Sequence, residues 1–397
     1  MVQVKALTDR SVAERFCEVK DEEGFWGDIS AETRQLAKRI LESTLDDELE
    51  ARLQAGRYRR TEVRAGWRNG GYRRQVMSLW GVLDVWMPRA RQALPPSRVL
   101  RRFQRRERQV DTLIRDAFLR GISTRQVGSV LEPVLGWQPS AQTVSRVVQS
   151  LDAAVRRFHW RQLDDDVCYL LLDGVTMKVK HPGGVATKLV LVAYGIAPDG
   201  RRRLLDFKLA KSESTAEWEA FLEDLFRRGL QGNRLRLIAT DGGTGLTAAV
   251  GLVYPQVPRQ RCWAHKLRNV AGMLRRKNQE ACLRDAKRIY LADNRRLAGQ
   301  RFRAWATTWR PIEPTAVRCL ERDLPELFTF FAVPLADRCR VRTTNAIERC
   351  FREVRRRTRP MSCFQNGASC ERIIYAVFEH LNRNWGSVPS PAFTQAS

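Results

Sequence analysis

Residues 168–180 read CYLLLDGVTMKVK, and the fold prediction starts from this stretch. Its first half is an apolar run without a breaker, which is typical of a buried strand. Asp173 interrupts the run, and Gly174 follows it. A carboxylate inside a buried strand is costly unless hydrogen bonds or a metal ion compensate for its burial. The alternative is a strand that ends one residue earlier, with Asp173 as an ordinary turn residue.

Two further strand-like runs follow, over residues 188–197 and 202–210. The gaps between the three runs are short and contain Pro-Gly-Gly and Pro-Asp-Gly, which are typical turn sequences. The three runs therefore predict an antiparallel meander.

Beyond this meander, helix and strand patterns alternate. Ser214 and Glu217 can form a capping box for a helix. A buried run over residues 235–240 then leads to Asp241 at its carboxyl end, and residues 259–263 form a fifth short strand. Three antiparallel strands followed by helix, strand, helix and strand predict an α/β fold with a ribonuclease-H-like core.

Composition and charge exclude several classes of protein. The 397 residues include 70 Lys and Arg against 44 Asp and Glu, a net charge of +26, which indicates a polyanionic partner such as nucleic acid. An apolar content of 43% is ordinary for a globular chain, which excludes a disordered protein. There is no apolar run long enough for a membrane helix. Nine irregularly spaced cysteines favour a reducing cytosol over a disulfide framework.

A basic and aromatic segment, residues 57–87, precedes the core. It predicts a β-hairpin with residues 69–71, Asn-Gly-Gly, as its turn. Arg68, Arg73 and Arg74 would then contact the DNA backbone. The alternative is a solvated hairpin without a partner.

Three short helices are predicted within residues 107–152, with Ser123 and Ser140 as caps of the second and third. This spacing resembles a helix-turn-helix, in which the third helix would enter a DNA groove. The alternative is a plain three-helix packing unit. The side chains offered to the groove would be Gln142, Thr143, Ser145 and Arg146.

Three acidic residues stand out as a candidate catalytic set: Asp173, Asp241 and Glu348. Hard cations such as Mg²⁺ prefer oxygen ligands, and carboxylates supply both oxygen and negative charge. Two such ions about 3.5–4 Å apart can activate an attacking oxygen and stabilise a leaving oxygen in phosphoryl transfer. Acids at the ends of neighbouring strands can converge at one edge of a sheet.

The third acid lies on a basic helix predicted over residues 342–359, which Thr343 or Thr344 can cap. A single carboxylate in such a helix suits a metal ligand beside a phosphate backbone. The alternative is a solvated ion pair between Glu348 and Arg352. The arginines predicted to contact DNA here are Arg349, Arg352, Arg355 and Arg356.

Four sequence words occur in register. They are LDGVTMKV around Asp173, TDGGTGL at Asp241, RCWAHKLRN with Cys262 and His265, and RTTNAIERCFREVRRRTR around Glu348. Together with RNGGYRRQ and STRQVGSVL in the N-terminal half, they resemble the Mutator-type, insertion-sequence 256 family of transposases. The resemblance covers roughly residues 40–385.

The resemblance implies a DDE transposase in which Asp173, Asp241 and Glu348 are both the catalytic residues and the ligands of Mg²⁺, with Mn²⁺ as a substitute. It also implies a ribonuclease-H-like fold with an α-helical insertion between the second and third acids. Cys350 and Phe351 depart from the family pattern, which often has Leu and Asn there, but they leave the acids untouched.

Cys262 and His265 form a C-x-x-H pair after the fifth strand, and the resembled family carries the same pair. A zinc site is disfavoured because no second pair of ligands is nearby in sequence. His265 could contact DNA, or the pair could support the edge of the active site, which we favour. Asn345, near the face of Glu348 on the basic helix, is the third predicted support residue.

The predicted organisation has six segments. They are an N-terminal helical region (1–56), a basic β-hairpin unit with a linker (57–97), a helix-turn-helix-like DNA-binding region (98–160), the first part of the ribonuclease-H-like core (161–264), an α-helical insertion (265–340), and the last core helices with a tail (341–397).

The sequence predicts a DNA transposase that binds the terminal inverted repeats of a mobile element and catalyses metal-dependent strand cleavage and strand transfer. Its partners would be those repeats, target DNA and at least one further copy of the chain, in the bacterial cytoplasm and away from membranes. Two other classes stay open: a catalytically inactive, transposase-derived DNA-binding protein, and another ribonuclease-H-like nuclease.

Overall fold

The computed structural model describes residues 22–92, 95, 97–101, 103–359 and 363–386. The chain divides into two compact units, Met1–Val148 and Gln149–Ser397. The predictions made for residues 1–21, for part of the linker within 91–97 and for the tail after residue 386 lie outside the described residues. Within the described ranges, no helix is both long enough and apolar enough to cross a membrane.

The first unit begins with one long helix, α1, over Glu22–Leu53. From the sequence alone, Asp28 or Ser30 could cap a helix through residues 31–41, with a separate helical stretch over residues 45–53; the structure has one continuous helix instead. Ser30 lies inside α1, and its hydroxyl donates a hydrogen bond to the carbonyl oxygen of Trp26 at 2.8 Å. The span contains no proline that would break the helix, so it continues through the predicted boundary.

A β-hairpin packs against α1 through Leu45, Val76, Leu83 and Val85. Its two antiparallel strands are β1, Arg68–Ser78, and β2, Gly81–Ala90.

The turn of this hairpin lies elsewhere than the sequence predicted. Ser78 Oγ donates a hydrogen bond to the Gly81 carbonyl at 2.8 Å and accepts one from the Trp80 amide at 3.2 Å. Gly81 has a φ of +101°, which favours glycine and allows the chain to reverse. Residues 69–71, predicted as the turn, lie within β1, where the pairing register shifts between Arg68 and Gly71.

Three helices complete the first unit, as the sequence predicted. The third buries Val144, Val147 and Val148 and exposes the opposite side. Gly136, with a φ of +66°, ends the second helix. The bounds are α2, Arg108–Leu119; α3, Gln126–Leu135; and α4, Ala141–Gln149.

The second unit is a mixed α/β domain around a sheet that has five strands in the described residues. The strand order is β5-β4-β3-β6-β7, in which β3, β4 and β5 are antiparallel while β6 and β7 run parallel to β3. The bounds are β3, Tyr169–His181; β4, Gly184–Ile196; β5, Arg202–Ala210; β6, Leu237–Thr240; and β7, Arg259–Arg261.

Helices cover both faces of the sheet. Leu170 and Leu172 of β3 belong to a core that includes Trp218 of α6 and Leu246 of α7. Successive side chains of a strand alternate between faces, so Asp173 points away from that core, toward the face where α14 and α15 contact β3. The helices of this domain outside the helical segment described next are α5, Asp152–Trp160, which precedes the sheet; α6, Thr215–Arg227; α7, Thr244–Val253; α14, Asn345–Thr358; and α15, Gly367–Gly386.

A helical segment lies between β7 and α14, and this fully described stretch contains no strand, as the sequence predicted. Its bounds are α8, Trp263–Gly272; α9, Arg276–Tyr290; α10, Arg295–Trp309; α11, Pro314–Arg322; α12, Leu324–Leu327; and α13, Leu335–Val341, with a 3₁₀ turn at Thr329–Ala332.

Candidate active site

Asp173 lies inside β3, and only 3% of its surface is exposed. The pKa of its carboxyl is raised to about 7, chiefly by burial. A hydrogen bond from the Thr344 side chain lowers this pKa, the charges of Asp241 and Glu348 raise it, and the Gly174 amide lowers it. Its Oδ2 atom is buried without a hydrogen-bond partner. A buried oxygen of this kind is energetically costly and is suited to receive a proton or a cation.

Parallel strand pairing brings Asp241 beside Asp173. The register of β3 and β6 pairs Leu171 with Ala239. Asp173 follows two residues later within β3, and Asp241 comes directly after β6 ends at Thr240. The charge of Asp241 raises the pKa of Asp173, so the two carboxyl groups are neighbours. The Gly243 amide donates a hydrogen bond to Asp241 Oδ1 at 2.9 Å, which fixes this carboxyl after the strand ends.

Glu348 comes to the same place from α14, on which it occupies the first turn. Arg268 of α8 donates to Glu348 Oε1 at 2.6 Å, and His265 Nε2 lies 3.7 Å from the same oxygen. The sequence left open a solvated pair between Glu348 and Arg352, but the ion pair in the structure is the one with Arg268.

Two backbone hydrogen bonds connect the segments that carry the acids. The Cys262 amide donates to the Thr240 carbonyl at 2.7 Å, and the Trp263 amide donates to the Arg342 carbonyl at 3.0 Å. The start of α8 thereby joins the end of β6, next to Asp241, to the chain just before α14, which carries Glu348.

Thr344 is a central contact that sequence reasoning did not identify. It occupies the N-cap position of α14, as predicted, but its side chain makes no capping hydrogen bond. Instead the fully buried Thr344 hydrogen-bonds Asp173, and its Oγ1 lies 3.3 Å from His265 Nδ1. Its amide donates to the Cys262 sulfur at 3.2 Å.

The predicted support residues Cys262 and His265 both contact Thr344. Burial raises the pKa of the Cys262 thiol, which keeps the sulfur protonated, unlike a zinc-bound thiolate. Burial and the nearby Arg268 lower the pKa of His265, which favours the neutral imidazole.

Asn345, the third predicted support residue, borders a different space. It lines a cavity of about 340 Å³ together with Arg202, Arg349 and Trp385. Its side-chain Oδ1 is buried without a hydrogen-bond partner. The structure therefore places Asn345 beside this cavity, and one of the predicted DNA-contact arginines, Arg349, lines it too.

The predicted DNA-contact residues of the hairpin differ in availability. Arg68 is held by Asp46 at 2.7 Å and Glu50 at 2.9 Å, and about a fifth of its side chain is exposed. Arg73 is 74% exposed although it pairs with Asp84. Arg74 donates to the hydroxyl of Tyr72 and to the Arg101 carbonyl.

The predicted contacts on helices are mostly exposed. On α4, Gln142, Ser145 and Arg146 are exposed and Thr143 is half-buried. On α14, Arg352 and Arg355 are exposed. Arg356, also exposed, is paired with Glu353 at 2.6 Å.

The acidic set has the chemistry that a hard divalent cation requires. Asp173, Asp241 and Glu348 supply carboxylate oxygens, and the orphaned Oδ2 of Asp173 offers a buried acceptor among them. In the described residues, no group of three or more His, Cys, Asp or Glu side chains lies close enough together to hold a metal ion by itself. Mg²⁺ usually binds through one or two carboxylates with water and phosphate, so this donor set fits such an ion.

Comparison with known proteins adds a family match. The family described as "Transposase, Mutator family" matches residues 8–388. The transposase for insertion sequence element ISRM5 of Rhizobium meliloti (strain 1021) is 33% identical over 89% of this chain and 88% of its own length. The transposase of IS406 from Burkholderia multivorans (strain ATCC 17616 / 249) is 36% identical over 85% of this chain and 87% of its own length. The transposase of IS256 in transposon Tn4001 from Staphylococcus aureus is 30% identical over 89% of this chain and 90% of its own length.

Proposed function

The chain belongs to the Mutator family of transposases, and from this premise we propose that it binds the terminal inverted repeats of a mobile element and catalyses metal-dependent cleavage and transfer of DNA strands. The observation that carries the proposal is the electrostatic coupling of three distant acids. Asp241 and Glu348 both raise the pKa of Asp173, although the three residues come from β6, α14 and β3.

The proposed catalytic domain is ribonuclease-H-like with a helical insertion. The strand order β5-β4-β3-β6-β7, with three antiparallel strands followed by two parallel ones, supports this proposal. The helices α8 to α13 would form the insertion, since they lie between Asp241 and Glu348 in the chain.

Asp173, Asp241 and Glu348 would hold the divalent cations. Bound Mg²⁺, or Mn²⁺ in its place, would activate the attacking oxygen and neutralise charge on the leaving oxygen. The chain itself would orient these acids: Thr344 holds Asp173, the Gly243 amide holds Asp241, and Arg268 holds Glu348.

In the proposed reaction, water attacks the phosphorus at the element end, and the bond from phosphorus to the 3′ oxygen breaks to release a 3′ hydroxyl. That hydroxyl then attacks a phosphorus in target DNA and displaces a 3′ oxygen there. Neither step requires a covalent protein intermediate, so no activated serine or tyrosine is needed.

End recognition would use the helix-turn-helix-like helices of the first unit. The exposed side of α4, with Gln142, Ser145 and Arg146, suits a DNA groove, and the net charge of +26 suits the phosphate backbone. Two element ends must be joined to one target, so we propose that a homodimer or a higher assembly acts on DNA in the bacterial cytoplasm.

The test is strand cleavage and joining by the full chain on DNA with the element's own ends, in Mg²⁺ or Mn²⁺. Asp173→Asn, Asp241→Asn and Glu348→Gln should retain DNA binding and lose both reactions. Glu321→Gln, which changes an exposed acid paired with Arg310, is the matched control and should keep both. Equal cleavage by all proteins would refute the site, and binding without any cleavage would support the inactive DNA-binding class.

A further inference from the structure

The cavity that Asn345 borders lies on the same face of the sheet as Asp173. Its volume of about 340 Å³ is within the range of small-molecule pockets, about 300–1,000 Å³. Tyr194 of β4 lines it. Asp173 pairs with Val192, two residues before Tyr194, so Tyr194 is a diagonal neighbour of Asp173 on one face. Such neighbours lie about 7–8 Å apart, which places the cavity beside the proposed active site.

The helix α14 connects the cavity with the third acid. Asn345, the first residue of α14, lines the cavity and precedes Glu348 by three residues, about 4.5 Å along the helix axis. Arg349 directly follows Glu348 and lines the cavity as well. A ligand in the cavity would therefore contact the same part of α14 that carries Glu348.

One property of the cavity is its positive charge. It is lined by three guanidinium groups, those of Arg202, Arg340 and Arg349. Arg340 donates to Asp337 at 3.0 Å, but its Nε is buried without a hydrogen-bond partner. Glu353 also lines the cavity, and Arg356 at 2.6 Å and Arg357 at 2.8 Å pair with it. The planar fork of arginine matches the oxygens of a phosphate group, so this lining suits a phosphate.

A second property is a flat stacking surface. The guanidinium carbon of Arg202 lies 5.1 Å from the centre of the Trp385 ring. Tyr194 meets the same ring edge-on, at a centroid distance of 5.8 Å, and its side chain is hydrogen-bonded to Arg202. These contacts hold the indole and the guanidinium in place. Nucleobases stack on aromatic rings and on guanidinium planes.

A third property is an acceptor that lacks a donor. The Oδ1 atom of Asn345 is buried without a hydrogen-bond partner, and an unpaired buried acceptor is costly. The N–H groups on the edge of a nucleobase can satisfy it, whereas an ionised phosphate has no hydrogen to donate. The acceptor and the stacking surface therefore favour a whole nucleotide over a phosphate alone.

We propose that this cavity binds one unpaired nucleotide of the DNA strand next to the cleaved bond. Its base stacks against Trp385 and Arg202, a base N–H donates to Asn345 Oδ1, and its phosphate contacts the arginines. The nucleotide must be unpaired, because both the edge and the faces of a base are occupied within a duplex. This inference rests on the proposed function and adds to it a nucleotide subsite beside the acids.

The test is binding of the metal-free full chain to DNA with the element's own end, measured by fluorescence anisotropy. The nucleotides around the cleaved bond are left without a complementary strand, so that no base pair has to open. Each of them is replaced in turn by an abasic site, which keeps the phosphate and removes the base. One such replacement should weaken binding by the wild type on the order of tenfold.

The variants show whether the lost contact is the one in the cavity. In Trp385→Ala the same abasic site should cost little, because the stacking surface is already gone. Trp160→Ala is the matched control: this tryptophan is 77% exposed at the end of α5 and should leave the tenfold loss intact. An equal loss in the wild type and Trp385→Ala at every position overturns the proposal.

A further variant guards against a folding artefact, because Trp385 packs on Tyr194. Asn345→Ala removes the acceptor, leaves the indole in place and should reduce the loss at the same abasic position. Far-ultraviolet circular dichroism shows whether each variant is folded. If Trp385→Ala does not fold, Asn345→Ala decides: a loss as large as that of the wild type overturns the proposal.

Failure of this proposal differs from failure of the proposed function. If the wild type cuts and joins element ends in Mg²⁺ while abasic sites cost it and Trp385→Ala the same, the nucleotide subsite is refuted and the proposed function stands. If the wild type neither prefers element ends to unrelated DNA nor cuts them, the proposed function fails, and the subsite is refuted with it.

Discussion

Replacing Thr344 by valine removes the hydroxyl that hydrogen-bonds Asp173 and keeps the shape of the side chain. Threonine and valine are both β-branched, so this fully buried position should accommodate valine without a cavity. In the intact protein this hydrogen bond lowers the pKa of Asp173, while burial raises it, and the resulting pKa is about 7. Losing the bond should therefore raise that pKa further.

The size of the effect follows from the energy of a hydrogen bond to a charged group. Such a bond contributes roughly 1.5–3 kcal/mol, and about 1.4 kcal/mol corresponds to one pKa unit. At the lower end the pKa of Asp173 rises by about one unit. At pH 7 the ionised fraction then falls from about one half to about one tenth, so the apparent Kd for Mn²⁺ rises about fivefold. At pH 9 the apparent Kd values of the wild type and Thr344→Val should differ by only about 10%.

The assay is Mn²⁺ titration of the metal-free full chain between pH 6 and pH 9, for the wild type and Thr344→Val. Thr343→Val is the matched control, because Thr343 lines the cavity beside Asn345 and should not shift the curve. A Thr344→Val curve that coincides with the wild type would refute the reasoning. An affinity for Mn²⁺ that falls by the same factor at pH 6 and at pH 9 would also refute it, because such a loss would indicate structural damage and not a change in pKa.

Three further predictions address stability and the third acid. Because the folded-state pKa of Asp173 is raised to about 7, metal-free protein should lose stability as pH rises toward and through that value. In urea unfolding, the free-energy advantage of Asp173→Asn over the wild type should therefore be about 2–3 kcal/mol larger at pH 8 than at pH 5. An equal advantage at both pH values would contradict this prediction. Arg268 and a bound cation would compete for Glu348. Arg268→Ala should therefore lower the Kd for Mn²⁺ by up to about fivefold, since exposed ion pairs contribute about 0–1 kcal/mol. A higher Kd in this variant would show that no such competition exists. Asp206→Ala should cost about 3–5 kcal/mol in urea unfolding, because it removes the buried carboxylate partner of Arg228 and leaves only the half-exposed Asp224. A cost below about 1 kcal/mol would show that the buried pair is dispensable.

Much of the second unit could be predicted because its signals are local. β5 begins at Arg202 and ends at Ala210, as the alternation and the flanking turn residues indicated. Ser214 caps α6 through the Glu217 amide, as the capping box predicted. The position of Asp173 within β3 follows from the apolar run, and its match with Asp241 follows from the parallel pairing of two buried strands.

What the sequence missed depends on contacts between distant segments. Thr344 looked like a helix cap because serine and threonine at such positions often are, but its hydroxyl is used by Asp173 and His265. Glu213 directly precedes the N-cap of α6, yet its side chain and that of Asp241, which follows a different strand, both lie next to Gly243. No local pattern reports contacts of this kind.

We propose that acids from three distant segments hold the divalent cation used for strand cleavage. Iron-mediated cleavage of the polypeptide tests it directly, because Fe²⁺ in place of Mg²⁺ generates radicals that cut the backbone next to the bound ion. With the full chain on DNA containing an element end, the account predicts cuts near Asp173, Asp241 and Glu348, all suppressed by excess Mg²⁺. Cuts confined to other segments, or cuts that excess Mg²⁺ leaves unchanged, would contradict the account.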